Sequence, residues 1–79
     1  MVVGATIEDL DIVDLGDYIK LTSNAALISV FENLQCGSRN HLRSFTNALE
    51  ITGSSYTPQY LDLDTYFEIV SATNERCGW

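Results

Sequence analysis

Gly37-Ser38-Arg39-Asn40-His41-Leu42-Arg43 lies in the middle of the longest periodic stretch of the chain, and it carries the only histidine. Read at three- and four-residue steps, the apolar positions run Leu27, Val30, Phe31, Leu34, Leu42, Phe45, Ala48 and Leu49. Only Ser38 and His41 interrupt that seam. The opposite side is polar, with Ser29, Glu32, Asn33, Arg39, Asn40, Arg43, Asn47 and Glu50. A 3.6-residue period of this kind predicts an amphipathic helix over about 25–49 with one buried face. It also predicts a buried His41, whose ring nitrogens then need partners, because an unpaired buried polar group costs a few kcal/mol.

Outward from that helix, Val3, Ile7 and Leu10, then Ile12, Leu15 and Ile19, recur at helical steps and predict a first helix over 2–21. Two apolar stripes are present, so this helix is expected to be buried widely or to bend near Asp11–Asp14, with Gly16 weakening it further. Thr22-Ser23-Asn24 is a short turn in which Ser23 or Asn24 can cap the second helix. So short a link makes an antiparallel hairpin. Thr52-Gly53-Ser54-Ser55 reads as a loop, and Thr57 before Pro58 as extended chain. The segment Tyr56–Leu61 is expected to strap the end of the bundle. Asp62 or Asp64 can cap a third helix over about 63–72, with Tyr66, Ile69 and Val70 facing inward. The residues after it, Asn74 to Trp79, are expected to fray.

The chain therefore reads as one all-α domain over residues 1–79. Seventy-nine residues are too few to cover both helix seams of a hairpin. A second copy is the simplest cover, giving a homodimer and a four-helix bundle with two-fold symmetry.

Eleven acids stand against four bases, a net charge of −7. That balance disfavours nucleic acid, which is bound by neutralising phosphates, and also anionic membranes. No apolar run approaches the ~20 residues needed to span a bilayer. Met1 leads directly into Val2-Val3-Gly4-Ala5 and then acids, unlike a signal peptide. Cys36 in mid-helix and Cys77 in the tail are placed against pairing, so free thiols and a cytoplasmic setting are expected.

Five acids and no base fall at Glu8, Asp9, Asp11, Asp14 and Asp17. Glu8 and Asp11 share a helix face. Carboxylates facing a histidine across a bundle are the raw material of a metal site; the plainer reading is favourable helix-start electrostatics. Ser38, one turn from His41, could pair with it as nucleophile and base, but nothing on a helix supplies an oxyanion hole. Arg39 and Arg43 can pair with the acidic first helix at Asp9 or Asp11, serve an interface, or face solvent.

The stretches Val3–Ile12, Val30–Leu34, Gly37–Phe45 and Tyr56–Leu61 follow one another in an order and spacing that resemble the C-terminal half of an uncharacterised ferritin-like family of prokaryotes. The resemblance covers residues 2–72. It implies a ferritin-like four-helix bundle whose first half carries further glutamates and a Glu-x-x-His motif. On that resemblance Glu8 and His41 are the matched ligand positions, with Asp11 as a further candidate, for iron or another divalent metal. Ser38 stands where the ferritin-like pattern places a glutamate, so the set is incomplete within one chain. The expectation is a non-catalytic half-domain of unknown role that homodimerises. The alternatives are a di-iron-type metal-binding protein completed by two chains, or pairing with a separately encoded N-terminal half.

Overall fold

In a computed structural model that describes residues 2–78, three helices follow one another: α1 (Val2–Leu21), α2 (Ala25–Ile51) and α3 (Leu63–Ser71). The α1–α2 hairpin forms as its short link predicts, and α3 packs on α2. Asn24 is the cap of α2, its side-chain oxygen accepting from Ala26 N at 3.0 Å and Leu27 N at 3.2 Å. Asp62 caps α3 by accepting from Thr65 N at 3.1 Å. The expected ends of α2 and α3 differ from the observed ones by two residues or fewer.

The far end of α2 closes with a reciprocal pair of bonds. Ser54 N donates to Leu49 O at 2.8 Å and Gly53 N to Glu50 O at 3.0 Å. This Schellman arrangement needs a left-handed residue, and Gly53 supplies it at φ 80°.

α1 runs unbroken through Asp11–Gly16. The missing side chain at Gly16 makes room for the Gln35 amide, which donates to the Ile12 carbonyl at 2.9 Å. Gly4 plays the matching part at the other end of the hairpin. A Cβ there would sit 2.8 Å from Phe45 Cζ, so the Phe45 ring lies directly on the α1 backbone.

The core holds Ala5 and Ile12 of α1, Leu42 and Leu49 of α2, Tyr56 of the loop, and Tyr66 and Ile69 of α3. Phe45, Leu61 and Val70 pack around it. The inward face of α3 is the one its sequence predicts. The hairpin seam is not. Val3 and Ile7 are exposed, as are Leu27, Val30 and Leu34. The long seam of α2 is really two adjoining stripes. One, through Ser38, Leu42 and Leu49, is buried in the fold. The other, through Leu27, Val30, Leu34 and His41, remains open. A period count locates an apolar arc but cannot say which part of it the fold covers.

Two further expectations fail in the tail. Cys36 and Cys77 are joined in a disulfide, with Cα atoms 5.7 Å apart. Mid-helix placement does not prevent pairing when the tail runs back along the helix. The argument from free thiols to a reducing compartment goes with them. Nor does the tail fray through Gly78; Trp79 lies outside the described residues. No described helix is long and apolar enough to cross a membrane.

Candidate functional site

The helical register of α1 places Glu8, Asp11, Leu15 and Tyr18 on one side, three or four residues apart. These residues, with Asp14, face Asn33, Leu34, Gly37, Ser38 and His41 of α2 across a groove of about 680 Å³, and Cys77 of the tail completes its lining. One end is apolar, built on Leu15, Tyr18 and Leu34. The other carries the carboxylates and the imidazole. Tyr18 is further fixed by Phe31, with ring centroids 5.8 Å apart.

Glu8 and His41 meet in this groove, with Glu8 Oε2 3.2 Å from His41 Nδ1. The structure thus brings together the pair the sequence reading names, but without the burial expected of His41. His41 is not buried: its side chain is 68% exposed, and Glu8 is the shielded partner at 12%. His41 belongs to the open stripe of α2. Its ring nitrogens are satisfied by Glu8 and by access to water. Asp11 lines the same groove, but among the described residues no three His, Cys, Asp or Glu side chains cluster closely enough to hold a metal ion. Within one chain the residues present do not fit a metal centre. Ser38 is buried beside the α1–α2 contact, as a packing residue.

The acid that matters most to the architecture is Asp9, which is fully buried. Its Oδ2 accepts from Tyr56 Oη at 2.5 Å and Gln59 N at 2.7 Å, and its Oδ1 from Leu61 N at 2.7 Å. The Tyr56–Leu61 strap is thus pinned to α1 by a carboxylate that satisfies backbone donors an irregular loop leaves over. Burial, reinforced by the bond to Asp9, pushes the Tyr56 phenol up to about 12. Neither the helix-start reading of Asp9 nor its pairing with arginine holds.

Arg39 and Arg43 instead grip the tail. Arg39 Nε and Nη2 donate to the two carboxylate oxygens of Glu75 at 2.7 and 2.8 Å, a bidentate fork. Arg43 Nη2 pairs with the same carboxylate, and Arg43 Nη1 reaches the Ile69 carbonyl at 3.4 Å. Asn40 trades two bonds with the Glu75 backbone, both 2.9 Å. The Arg39 hydrogen bonds hold the Glu75 carboxyl below its ordinary range, with Arg43 adding to the effect. Arg43 is buried, not on a solvated face. The sequence hid this clamp because Glu75 lies 36 residues from Arg39 and carries no local periodicity.

Comparison with known proteins now places the chain. Residues 1–73 match the model of an uncharacterised protein domain, DUF2202. The chain belongs to the DUF2202 family. A curated relative, the uncharacterised protein MJ0754 of Methanocaldococcus jannaschii, is 54% identical over 74 residues. That alignment covers 94% of this chain and 40% of the relative. The crystal structure of hypothetical protein MJ0754 superposes on 94% of this chain with a TM-score of 0.91 and 53% identity, using 42% of its own length. The chain thus spans about two fifths of the length of the relative it matches, and its three-helix arrangement is that of the corresponding part of a solved fold. The match shows a family of unknown function, and its description says nothing of a ferritin-like bundle.

Proposed function

We propose that this chain is a non-catalytic structural half of a ferritin-like four-helix bundle, completed by a second copy docked on the α1–α2 groove. The observation that carries the reading is the open stripe Leu27, Val30 and Leu34, which continues into Leu15 and Tyr18 across the groove. Leu27, Val30 and Leu34 are 45%, 41% and 44% exposed. Three large aliphatic side chains aligned on one helix face form a contiguous apolar surface of the kind that marks an association site. The hairpin geometry supplies half of a bundle, and the relatives' greater length is consistent with a fold that needs more helix than one copy provides. The separately encoded N-terminal half is the rival occupant of the same surface.

The test is to replace Leu34 with glutamate. Leu34 lies outside the intramolecular core, so the variant keeps its helices by circular dichroism while its solution mass falls to that of one chain. An unchanged mass would remove the groove from the interface.

A second reading, metal binding, draws on the Glu8–His41 contact at the groove wall. Two copies facing each other would present two such pairs, for iron or another divalent metal. Added Fe(II), Mn(II) or Zn(II) would then raise the melting temperature by binding the folded state, and Glu8→Ala and His41→Ala would each remove the rise. No rise in the wild type sinks this reading and leaves the structural one standing.

A further inference from the structure

We infer that the Cys36–Cys77 bridge is a reversible thiol–disulfide exchange site that sets one wall of the α1–α2 groove and so controls docking of the second copy. The inference rests on the dimer reading above. Cys77 is itself part of the groove lining, beside Asn33 and Gly37. The tail does not need the bridge to dock, because Arg39, Arg43 and Asn40 already hold Glu75. What the bridge adds lies beyond that clamp. It fixes Cys77 and Gly78 against α2, where the other ties among the described residues are a bond from Gly78 N to Asn33 Oδ1 at 3.1 Å and a long one from Asn40 Nδ2 to Cys77 Sγ at 3.5 Å. Breaking the bridge therefore loosens the groove wall and leaves the rest of the tail in place.

The two sulfurs differ in access. Cys36 is 7% exposed, while Cys77 is only partly covered. The thiolate of an external dithiol attacks Cys77 Sγ, the Cys36–Cys77 bond breaks, and Cys36 leaves as a thiolate that takes a proton from water. The second thiol of the reductant then attacks its own sulfur in the mixed disulfide. Cys77 leaves, takes up a proton, and the reductant departs as a cyclic disulfide. Two electrons and two protons pass from the dithiol to the protein. Asn40 Nδ2 lies 3.5 Å from Cys77 Sγ and donates to it, stabilising the charge as that sulfur leaves. In the oxidised chain the wall is preformed, so docking does not have to order it.

The test compares the monomer–dimer constant of the full chain, by sedimentation equilibrium, in the oxidised form and after dithiothreitol. A Cys36→Ser/Cys77→Ser double variant serves as a permanently open control. Circular dichroism and amide exchange are read in parallel. Expected are intact helices, faster exchange at Cys77 and Gly78 but not at Glu75, about tenfold weaker association on reduction, and recovery on reoxidation. Equal dimer constants in both forms overturn the exchange-site inference and leave the dimer intact. Loss of the helices on reduction makes the bridge a structural staple and also overturns it. A monomer in both forms overturns the dimer reading, and this inference with it.

Discussion

Tyr56 donates its hydroxyl to Asp9 at 2.5 Å across 47 residues of sequence, and this bond joins the loop to the first helix at the centre of the core. Asp9 holds the strap through backbone donors as well, so removing it orphans several buried groups at once. Asp9→Ala is expected to cost about 3–5 kcal/mol, because it leaves the Tyr56, Gln59 and Leu61 donors without their acceptor at about 1–3 kcal/mol for each one that stays buried. That is comparable to the whole core contribution of a chain this short, and the cooperative urea transition should be lost or shifted to very low denaturant. Tyr56→Phe keeps the N–H donors to Asp9 and should cost only about 1–2 kcal/mol. Equal, small effects of both substitutions would show that Asp9 does not organise the strap.

The contact of Phe45 on Gly4 predicts a directional pair of effects. Gly4→Ala pushes a methyl into the ring, and overpacking of this sort costs about 1–3 kcal/mol. Phe45→Leu alone opens space and also destabilises. Combined, the two should be less damaging than their sum, because they relieve each other. Strict additivity in urea unfolding would contradict the direct approach of the Phe45 ring to Gly4. The same contact makes Phe45→Asp a test of folding rather than of the dimer surface, since Phe45 packs within its own chain.

Acid should loosen the tail before it unfolds the helices. Glu75 has its carboxyl depressed from the ordinary 4.5 by Arg39, then Arg43. A depressed carboxylate contributes stability that is full above the unfolded value and is lost as pH falls through the folded one. Amide exchange at Glu75, whose N–H donates to Asn40 at 2.9 Å, should therefore rise as pH drops below about 4.5 in the wild type, after correction for intrinsic rates. In Glu75→Gln it should already be fast at neutral pH and show no such step. A step of the same size in the variant would assign the titration elsewhere.

Much of the fold is readable from local pattern. The hairpin, the caps at Asn24 and Asp62, the loop at Thr52–Ser55 and the inward face of α3 all rest on signals within a few residues of one another. What pattern does not carry is the division of a broad apolar arc. His41 interrupts the α2 seam in sequence, yet it stands on the stripe that α1 leaves uncovered. Long-range pairings are equally silent. Asp9 with the strap, Glu75 with Arg39, and Cys36 with Cys77 join positions whose neighbours give no periodic cue. The Glu8–His41 meeting was reachable because family resemblance supplied the spacing that periodicity lacks.

Charge sets the salt dependence of assembly. Each copy carries a net −7, and Glu8, Asp11 and Asp14 line the proposed interface. Two such faces repel at low ionic strength, where the Debye length is about 30 Å at 0.01 M, and much less at 1 M, where it is about 3 Å. Added sodium chloride should therefore tighten the dimer. Weakening by salt would mean that the occupant of the groove is basic, which favours a different partner over a second copy.

The most direct measurement is the solution mass of the oxidised wild-type chain by light scattering across micromolar to millimolar concentration, beside Leu34→Glu. The account predicts a rise toward twice 8.8 kDa for the wild type and the mass of a single folded chain for the variant. A wild-type chain that stays at 8.8 kDa throughout, with a cooperative thermal transition, would contradict it.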